Sequence, residues 1–156
     1  MSTVPKRVLF VCMGNICRSP AGEAVLNHMA AQAGMSIEVD SAGTHGYHIG
    51  EPADARMRSA GRARGYALET PSRQVQKSDL SDDRFDLVLA MDRENLQGLR
   101  RLVPKLGEHV RLFSDFTGDD WPTDVPDPYY GGDEGFEYVL DMIEAGCPKI
   151  LKHLGG

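Results

Sequence analysis

The sequence has few cysteines, and this scarcity limits the kinds of protein that it can encode. Its 156 residues include three, an odd number: Cys12, Cys17 and Cys147. Small secreted domains held together by disulfides carry many paired cysteines. A chain of this length can instead bury a hydrophobic core without such bonds. We therefore expect a single domain over residues 1–156, in a reducing compartment, with cysteines that are free, reactive or buried.

Long hydrophobic runs and an excess of positive charge are also lacking. The first apolar run, residues 8–12, is too short for a signal peptide or a membrane span, and no later run approaches spanning length. The formal net charge is −6, whereas nucleic-acid-binding domains are commonly basic. The five histidines show no metal-ligand spacing. The sequence predicts a cytoplasmic protein that binds neither membrane nor nucleic acid and needs no metal or cofactor.

What the sequence does contain is an alternation of strand and helix patterns. Ser19 and Pro20 are typical of a helix cap and a first helical position, and Gly146 and Pro148 could interrupt the last helix. Strands are predicted at residues 8–12, 37–40, 85–91 and 109–116, and helices at 21–33, 53–64, 93–103 and 136–154. This order indicates an α/β fold, a doubly wound, four-stranded parallel sheet with helices on both faces. Ligands of such sheets bind beyond the carboxyl ends of the strands.

The loop after the first strand carries a cysteine, five residues, an arginine and a hydroxyl. Backbone N–H groups in such a strand-to-helix loop, together with the helix N-terminus, form a site for anions. Arg18 can bind two phosphate oxygens at once, and the positive field favours the nucleophilic thiolate form of Cys12. The loop lacks the Gly-Lys-Ser/Thr ending of nucleotide-binding loops, and Cys12 and Cys17 have no partner pair for zinc.

A proton donor is also needed, because an alkoxide or phenolate leaves phosphorus poorly unaided. The best candidate is Asp127, since Pro126 and Pro128 stiffen the chain on either side of it. Asp120 and Asp124 lie in the same loop, residues 117–133, and compete for this role.

Four segments of the chain, residues 8–20, 40–44, 85–92 and 127–131, resemble the low-molecular-weight protein tyrosine phosphatase family. The resemblance covers nearly the whole chain. It implies hydrolysis of phosphotyrosine through a phosphocysteine on Cys12, with Arg18 stabilising the transition state. Asp127 would protonate the tyrosyl oxygen and then activate water, and no metal would be required.

The resemblance also implies roles for the surrounding residues. Ser19 would hydrogen-bond the thiolate, and Asn15 and Ser41 would hold the loop in its strained shape. Cys17 would trap an oxidised Cys12 as a reversible disulfide. The phosphate would be bound by the backbone amides of Met13, Gly14, Asn15, Ile16, Cys17 and Arg18, and the substrate ring by Ile16, Tyr47, Tyr129 and Tyr130. Thr70 occupies the position where some relatives have a histidine in the supporting network, and Cys147 is expected to serve packing.

Three other functions stay open at this point. An arsenate reductase of the same fold would need further cysteines, and residues 72–91 contain none. Relatives that act on phosphoarginine carry threonine at the position of Ile16. An inactive phosphotyrosine-binding module would be expected to lack Cys12 or Asp127. The expected partners are phosphotyrosine-containing proteins, a tyrosine kinase among them, and the expected state is a monomer or weak dimer.

Overall fold

The computed structural model describes residues 4–129 and 131–155, which contain one parallel sheet. Its strands are β1 (Lys6–Cys12), β2 (Ile37–Gly43), β3 (Leu87–Ala90) and β4 (Val110–Leu112), in the order β2–β1–β3–β4. The helices are α1 (Arg18–Gln32), α2 (Ala55–Ala63), α3 (Arg93–Leu102) and α4 (Asp133–Gly155). Two 3-10 turns occupy Lys77–Leu80 and Phe113–Phe116. The predicted four-stranded parallel sheet is confirmed.

The side chains of β1 alternate between two hydrophobic clusters, one on each face of the sheet. Val8 and Phe10 join the cluster that includes buried residues of α1 and α4. Leu9 and Val11 join the smaller cluster on the other face, against Leu99 of α3. All four β1 side chains are inaccessible to solvent, as expected for a central parallel strand covered on both sides. Helices therefore cover both faces, as predicted.

The start of α1 differs from the sequence prediction. The helix begins at Arg18 with Cys17 at the cap position, and no side chain caps it. The predicted cap at Ser19 is wrong, because the Ser19 hydroxyl lies 3.0 Å from the Cys12 sulfur instead. The Ser19 hydroxyl therefore contacts the Cys12 thiol and does not cap the helix.

The predicted strand over residues 109–116 is too long. β4 ends at Leu112, and the chain then turns so that Phe113 and Phe116 are buried under α4. Gly146 of α4 permits this packing, since a β-carbon there would lie 2.5 Å from the Phe113 ring. Neither Gly146 nor Pro148 ends α4, which is one helix through both. Cys147, between them, is fully buried, as its expected packing role requires.

Four arginines, at positions 56, 58, 62 and 64, lie on α2 or directly after it, and their surroundings differ. Arg62 is exposed. Arg58 donates to the backbone carbonyl of Ala53. Arg56 contacts the loop before α4, as described below. Arg64 forms ion pairs with three carboxylates of α4: Glu137, Asp141 and Glu144. Sequence position on a helix surface did not distinguish these arginines, because Arg56 and Arg64 have partners in distant parts of the chain.

Across residues 4–129 and 131–155, no helix combines the length and apolarity needed to cross a membrane.

Candidate active site

The phosphate loop, residues 12–18, joins β1 to α1 and is held in a strained conformation. Asn15 has a φ of 58°, in the left-handed region that few residues other than glycine adopt, and is buried. Its side chain donates to Ser19 Oγ (2.8 Å) and accepts from the Arg73 backbone N–H (2.9 Å). The backbone carbonyl of Asn15 accepts a hydrogen bond from the Ser72 hydroxyl (2.7 Å). These three hydrogen bonds hold Asn15, and with it the loop, in this conformation.

Ser19 connects this support to the thiol of Cys12. Because Asn15 donates to Ser19 Oγ, the serine's own hydrogen is left for Cys12 Sγ at 3.0 Å or the Ala42 carbonyl at 3.5 Å. Sulfur at the shorter distance is the better placed acceptor, and a thiolate is a stronger acceptor than a carbonyl. The geometry matches the expected role of Ser19 in stabilising negative charge on sulfur.

Arg18 is the buried cation of the site, with its side chain 3% exposed. Its guanidinium donates to Asp92 (2.5 Å) and to the Val125 carbonyl (3.1 Å), and lies 3.6 Å from an Asp127 oxygen. Burial alone lowers the pKa of Arg18, but the neighbouring Cys12 and Asp92 raise it above its ordinary value. The arginine therefore stays charged despite its burial.

The order of the strands explains how these groups meet. β1 and β3 are neighbours in parallel register, so their carboxyl ends lie side by side. Cys12, the last residue of β1, and Asp92, just beyond β3, are therefore at the same edge of the sheet. The Met91 N–H donates to the Val11 carbonyl, and the Val125 N–H donates to the Met91 carbonyl. This last bond brings the acid loop, residues 125–129, to the same edge of the sheet.

Asp127 is the acidic residue of this loop that reaches the cavity. Its carboxylate accepts from the Tyr129 backbone N–H (3.1 Å) and is one-third exposed. Its competitor Asp124 is bound by Arg93, whose hydrogen bonds lower the pKa of Asp124, so that carboxyl is a poor proton donor. Asp120 does not line the cavity. The structure thus favours Asp127 over both alternatives.

A cavity of about 190 Å³ opens over the phosphate loop. Tyr47 and Tyr129 are exposed at its rim, and His48 lies between loop and rim with its Nδ1 2.7 Å from Glu51. The predicted wall residue Tyr130 lies outside the described residues. The residues that line the cavity are Cys12, Met13, Gly14, Ile16, Cys17, Arg18, Tyr47, His48, Asp127 and Tyr129.

Cys17 also faces this cavity, close to Cys12. Burial raises the pKa of the Cys17 thiol well above its ordinary value, and the nearby negative charges of Asp54, Cys12 and Asp127 raise it further. Cys17 is therefore a protonated thiol at neutral pH. All three cysteines, each within the described part of the chain, are free.

Ser41 is placed differently from the expectation. Its hydroxyl donates to Glu23 of α1 (2.6 Å) rather than to a phosphate-loop residue. The second carboxylate oxygen of Glu23 accepts from Thr70 (2.5 Å). Ser41 thus supports the helix behind the loop, and Thr70 completes that support.

Sequence reasoning missed several residues of the site. Asp92 lies just beyond the end of β3, after Met91. The adjacency of β1 and β3 in a doubly wound sheet is the signal that could have identified it. Ser72 and Arg73 carry no such signal, because they reach Asn15 from a segment without regular structure. His48 likewise meets Gly14 through a loop, with its ring 3.1 Å from where a Gly14 β-carbon would be.

Comparisons with known proteins agree with this geometry. A sequence model of the low molecular weight phosphotyrosine protein phosphatase family matches residues 7–156. A low molecular weight protein-tyrosine-phosphatase of Streptomyces coelicolor is 47% identical over 153 residues, covering 93% of this chain and 91% of the relative. The one from Bacillus subtilis named YfkJ is 43% identical over 148 residues, covering 92% of each chain. The crystal structure of YfkJ superimposes with a TM-score of 0.91 at 39% identity, covering 99% of this chain and 98% of that one. The chain belongs to the low-molecular-weight protein tyrosine phosphatase family.

Proposed function

We propose that this protein is a protein tyrosine phosphatase whose single domain, residues 1–156, forms a phosphocysteine on Cys12. The observation that carries the proposal is the convergence of a thiol, a buried arginine and a carboxyl at one cavity: Cys12, Arg18 and Asp127. Membership of the family supports the same reaction. Nucleophile, charge stabiliser and proton donor are thus all supplied by the chain itself.

In the first step, the Cys12 thiolate attacks phosphorus while the backbone amides of residues 13–18 and Arg18 bind the phosphoryl oxygens. Arg18 exchanges its contacts with Asp92 and Asp127 for the oxygens of the phosphate, whose charge it stabilises. Asp127 donates its proton to the departing tyrosyl oxygen. The products of this step are tyrosine and a phosphocysteine.

In the second step, Asp127, now ionised, takes a proton from a water that attacks the phosphocysteine. The Cys12 thiolate leaves, and the Ser19 hydroxyl at 3.0 Å stabilises it as it does so. Inorganic phosphate is released, and the thiolate is regenerated. Arginine and backbone amides carry out the charge stabilisation that a metal ion performs in other phosphatases.

Selectivity for phosphotyrosine rests on the walls of the cavity. Tyr47 and Tyr129 are exposed at the rim, where they can stack on the ring of the substrate. The branched side chain of Ile16, a residue of the phosphate loop, also lines the cavity. Tyr130 is a further wall residue in this proposal. A phosphoserine side chain is too short to reach both the loop and this aromatic rim.

The substrates are phosphotyrosine-containing proteins, with a tyrosine kinase as a candidate, and the enzyme acts as a monomer or weak dimer. A cytoplasmic location fits the chemistry, because an active Cys12 must stay reduced. When peroxide oxidises Cys12 to a sulfenic acid, the neighbouring Cys17 thiol condenses with it to a disulfide and releases water. A reductant then restores both thiols.

The test is phosphate release from a phosphotyrosyl peptide, with chelator present and no added metal. We expect the reduced native protein to release phosphate and Cys12→Ser to release none. The matched control is Cys147→Ser, which removes a buried thiol remote from the cavity and should retain activity if the variant folds.

Failure of the reduced native protein to release phosphate would refute the proposal. Phosphoarginine is compared in the same phosphate-release assay, and arsenate in a separate assay of its reduction to arsenite with a thiol reductant. Faster turnover of either than of phosphotyrosine would favour the corresponding alternative function.

A further inference from the structure

Arg56 lies outside the cavity, yet it connects the two loops that form it. It occupies the first turn of α2, and its side chain is 42% exposed. We propose that Arg56 is a positioning residue that holds Asp127 in place for proton transfer. This inference rests on the proposed phosphatase function and deepens it.

On the acid-loop side, Arg56 binds the residue that holds Asp127. Its guanidinium donates to the Tyr129 carbonyl at 2.9 Å, and the Tyr129 N–H donates to an Asp127 oxygen at 3.1 Å. A single residue of the loop therefore receives the bond from Arg56 and gives the bond to the carboxyl. Movement of Tyr129 would be transmitted directly to Asp127.

On the phosphate-loop side, Arg56 is bound to Asp54. The Asp54 carboxylate accepts from the backbone N–H of Arg56 at 2.8 Å and from its guanidinium at 3.2 Å, while the Asp54 N–H donates to the Ile16 carbonyl at 2.8 Å. Burial raises the pKa of Asp54, but the hydrogen bonds from Arg56 outweigh this and lower it. The ionised pair thus joins the phosphate loop to the acid loop through one guanidinium.

Two aromatic rings lie next to that guanidinium. Its carbon lies 4.7 Å from the centre of the Phe136 ring and 5.6 Å from that of Tyr129. Phe136 is fully buried in the first turn of α4, so it offers a rigid platform. A planar fork held in this way can bind carboxylate and carbonyl together, which an ammonium group cannot match.

Asp127 needs such support during the reaction. In the structure one of its oxygens lies 3.6 Å from Arg18, and the other accepts from Tyr129. Once Arg18 binds the phosphoryl group, its attraction for Asp127 is shared with the substrate. The bond from Tyr129 then constrains the carboxyl, and Arg56 donates to the carbonyl of Tyr129.

The experiment compares two substrates that differ in their need for a general acid. Tyrosine leaves with a pKa of about 10 and requires protonation, whereas nitrophenol is more acidic and leaves with little help. The quantity measured is kcat/KM, which reports the first step. Arg56→Met keeps the apolar stem over Phe136 but removes the hydrogen bonds, and Arg62→Met makes the same change at an exposed site on the same helix.

We expect Arg56→Met to lower kcat/KM about tenfold for a phosphotyrosyl peptide, a part of the full effect of a general acid, and less than about twofold for p-nitrophenyl phosphate. Arg62→Met should leave both values unchanged, and Arg56→Lys should fall between native and Arg56→Met. If Arg56→Met does not fold, the comparison of substrates on Arg56→Lys decides.

Equal losses on both substrates, or no loss on either, would overturn the inference while leaving the phosphatase function intact. A native protein that releases phosphate from neither substrate would instead refute the proposed function itself. The two failures are therefore distinguishable within one set of assays.

Discussion

At the scale of single residues, the site depends on side chains that serve more than one neighbour. Asn15 holds the strained turn and also donates to Ser19, whose hydroxyl then faces the sulfur of Cys12. This series of hydrogen bonds orients the hydroxyl hydrogen of Ser19. Because Asn15 already donates to Ser19 Oγ, that hydrogen must point to a different group. The reactive sulfur is thus controlled by the side chains of Asn15 and Ser19, which are committed to each other and to the loop.

Ser19→Ala tests this series of hydrogen bonds. Without the hydroxyl, the Cys12 thiolate is a poorer leaving group in the second step, so we expect kcat to fall about tenfold, as for the loss of a hydrogen bond to a charged group. Rapid mixing with p-nitrophenyl phosphate should show a burst of nitrophenol followed by a slower steady state. Ser59→Ala, at an exposed position of α2, is the control. An unchanged steady-state rate would contradict the assigned role of Ser19.

At the scale of elements, the distance between α1 and the sheet is set by Gly22. A β-carbon at this position would lie 2.6 Å from the Phe10 ring, well inside contact distance. Phe10 is inaccessible to solvent, so its ring has little room to withdraw. The glycine allows α1 to lie close over β1, and with it the phosphate loop that joins the two.

Gly22→Ala should have two opposing effects on the free energy of unfolding. Alanine favours a helix by about 1 kcal/mol over glycine, whereas overpacking a core costs about 1–3 kcal/mol. Because the contact is with a buried ring, we expect the clash to outweigh the helix preference and lower the free energy of unfolding, as measured by urea denaturation. Gly132→Ala, where a β-carbon meets nothing within 4 Å, should change stability little. A stabilised Gly22→Ala variant would show that α1 can shift.

At the scale of the whole molecule, the stability should depend on pH through Glu23. Burial raises the pKa of this carboxyl above its ordinary value of 4.5, although hydrogen bonds from Ser41 and Thr70 oppose the shift. An acid whose pKa is higher in the folded than in the unfolded chain stabilises the fold below the ordinary value. That contribution is lost as the pH rises through the folded-state value.

Glu23→Gln tests the linkage, since glutamine resembles the protonated acid at every pH. We expect the free energy of unfolding of the native protein to fall relative to that of the variant as the pH rises from 4.5 to neutrality. Urea denaturation over a series of buffers measures it. Glu69→Gln, an exposed change of the same kind, should show no such trend. A difference between native and Glu23→Gln that is constant with pH would refute the assignment.

Local sequence patterns are sufficient to predict the architecture and the position of the reactive loop. Alternating patterns of period 2 and 3.6 residues define strands and helices locally, and Cys12 to Ser19 are close in sequence. The local pattern did not determine the element ends, such as the turn at Phe113 or the uninterrupted α4, because packing between distant segments decides them.

The residues that complete the site are brought to it by contacts between distant parts of the chain. Asp92 and Arg73 meet the phosphate loop across 74 and 58 residues of chain, and no spacing rule predicts such contacts. The same holds for Arg56, which in sequence is one arginine of several on a helix and in the fold joins two loops. The physical reason is that the order of strands in the sheet, not distance along the chain, sets which loops share an edge.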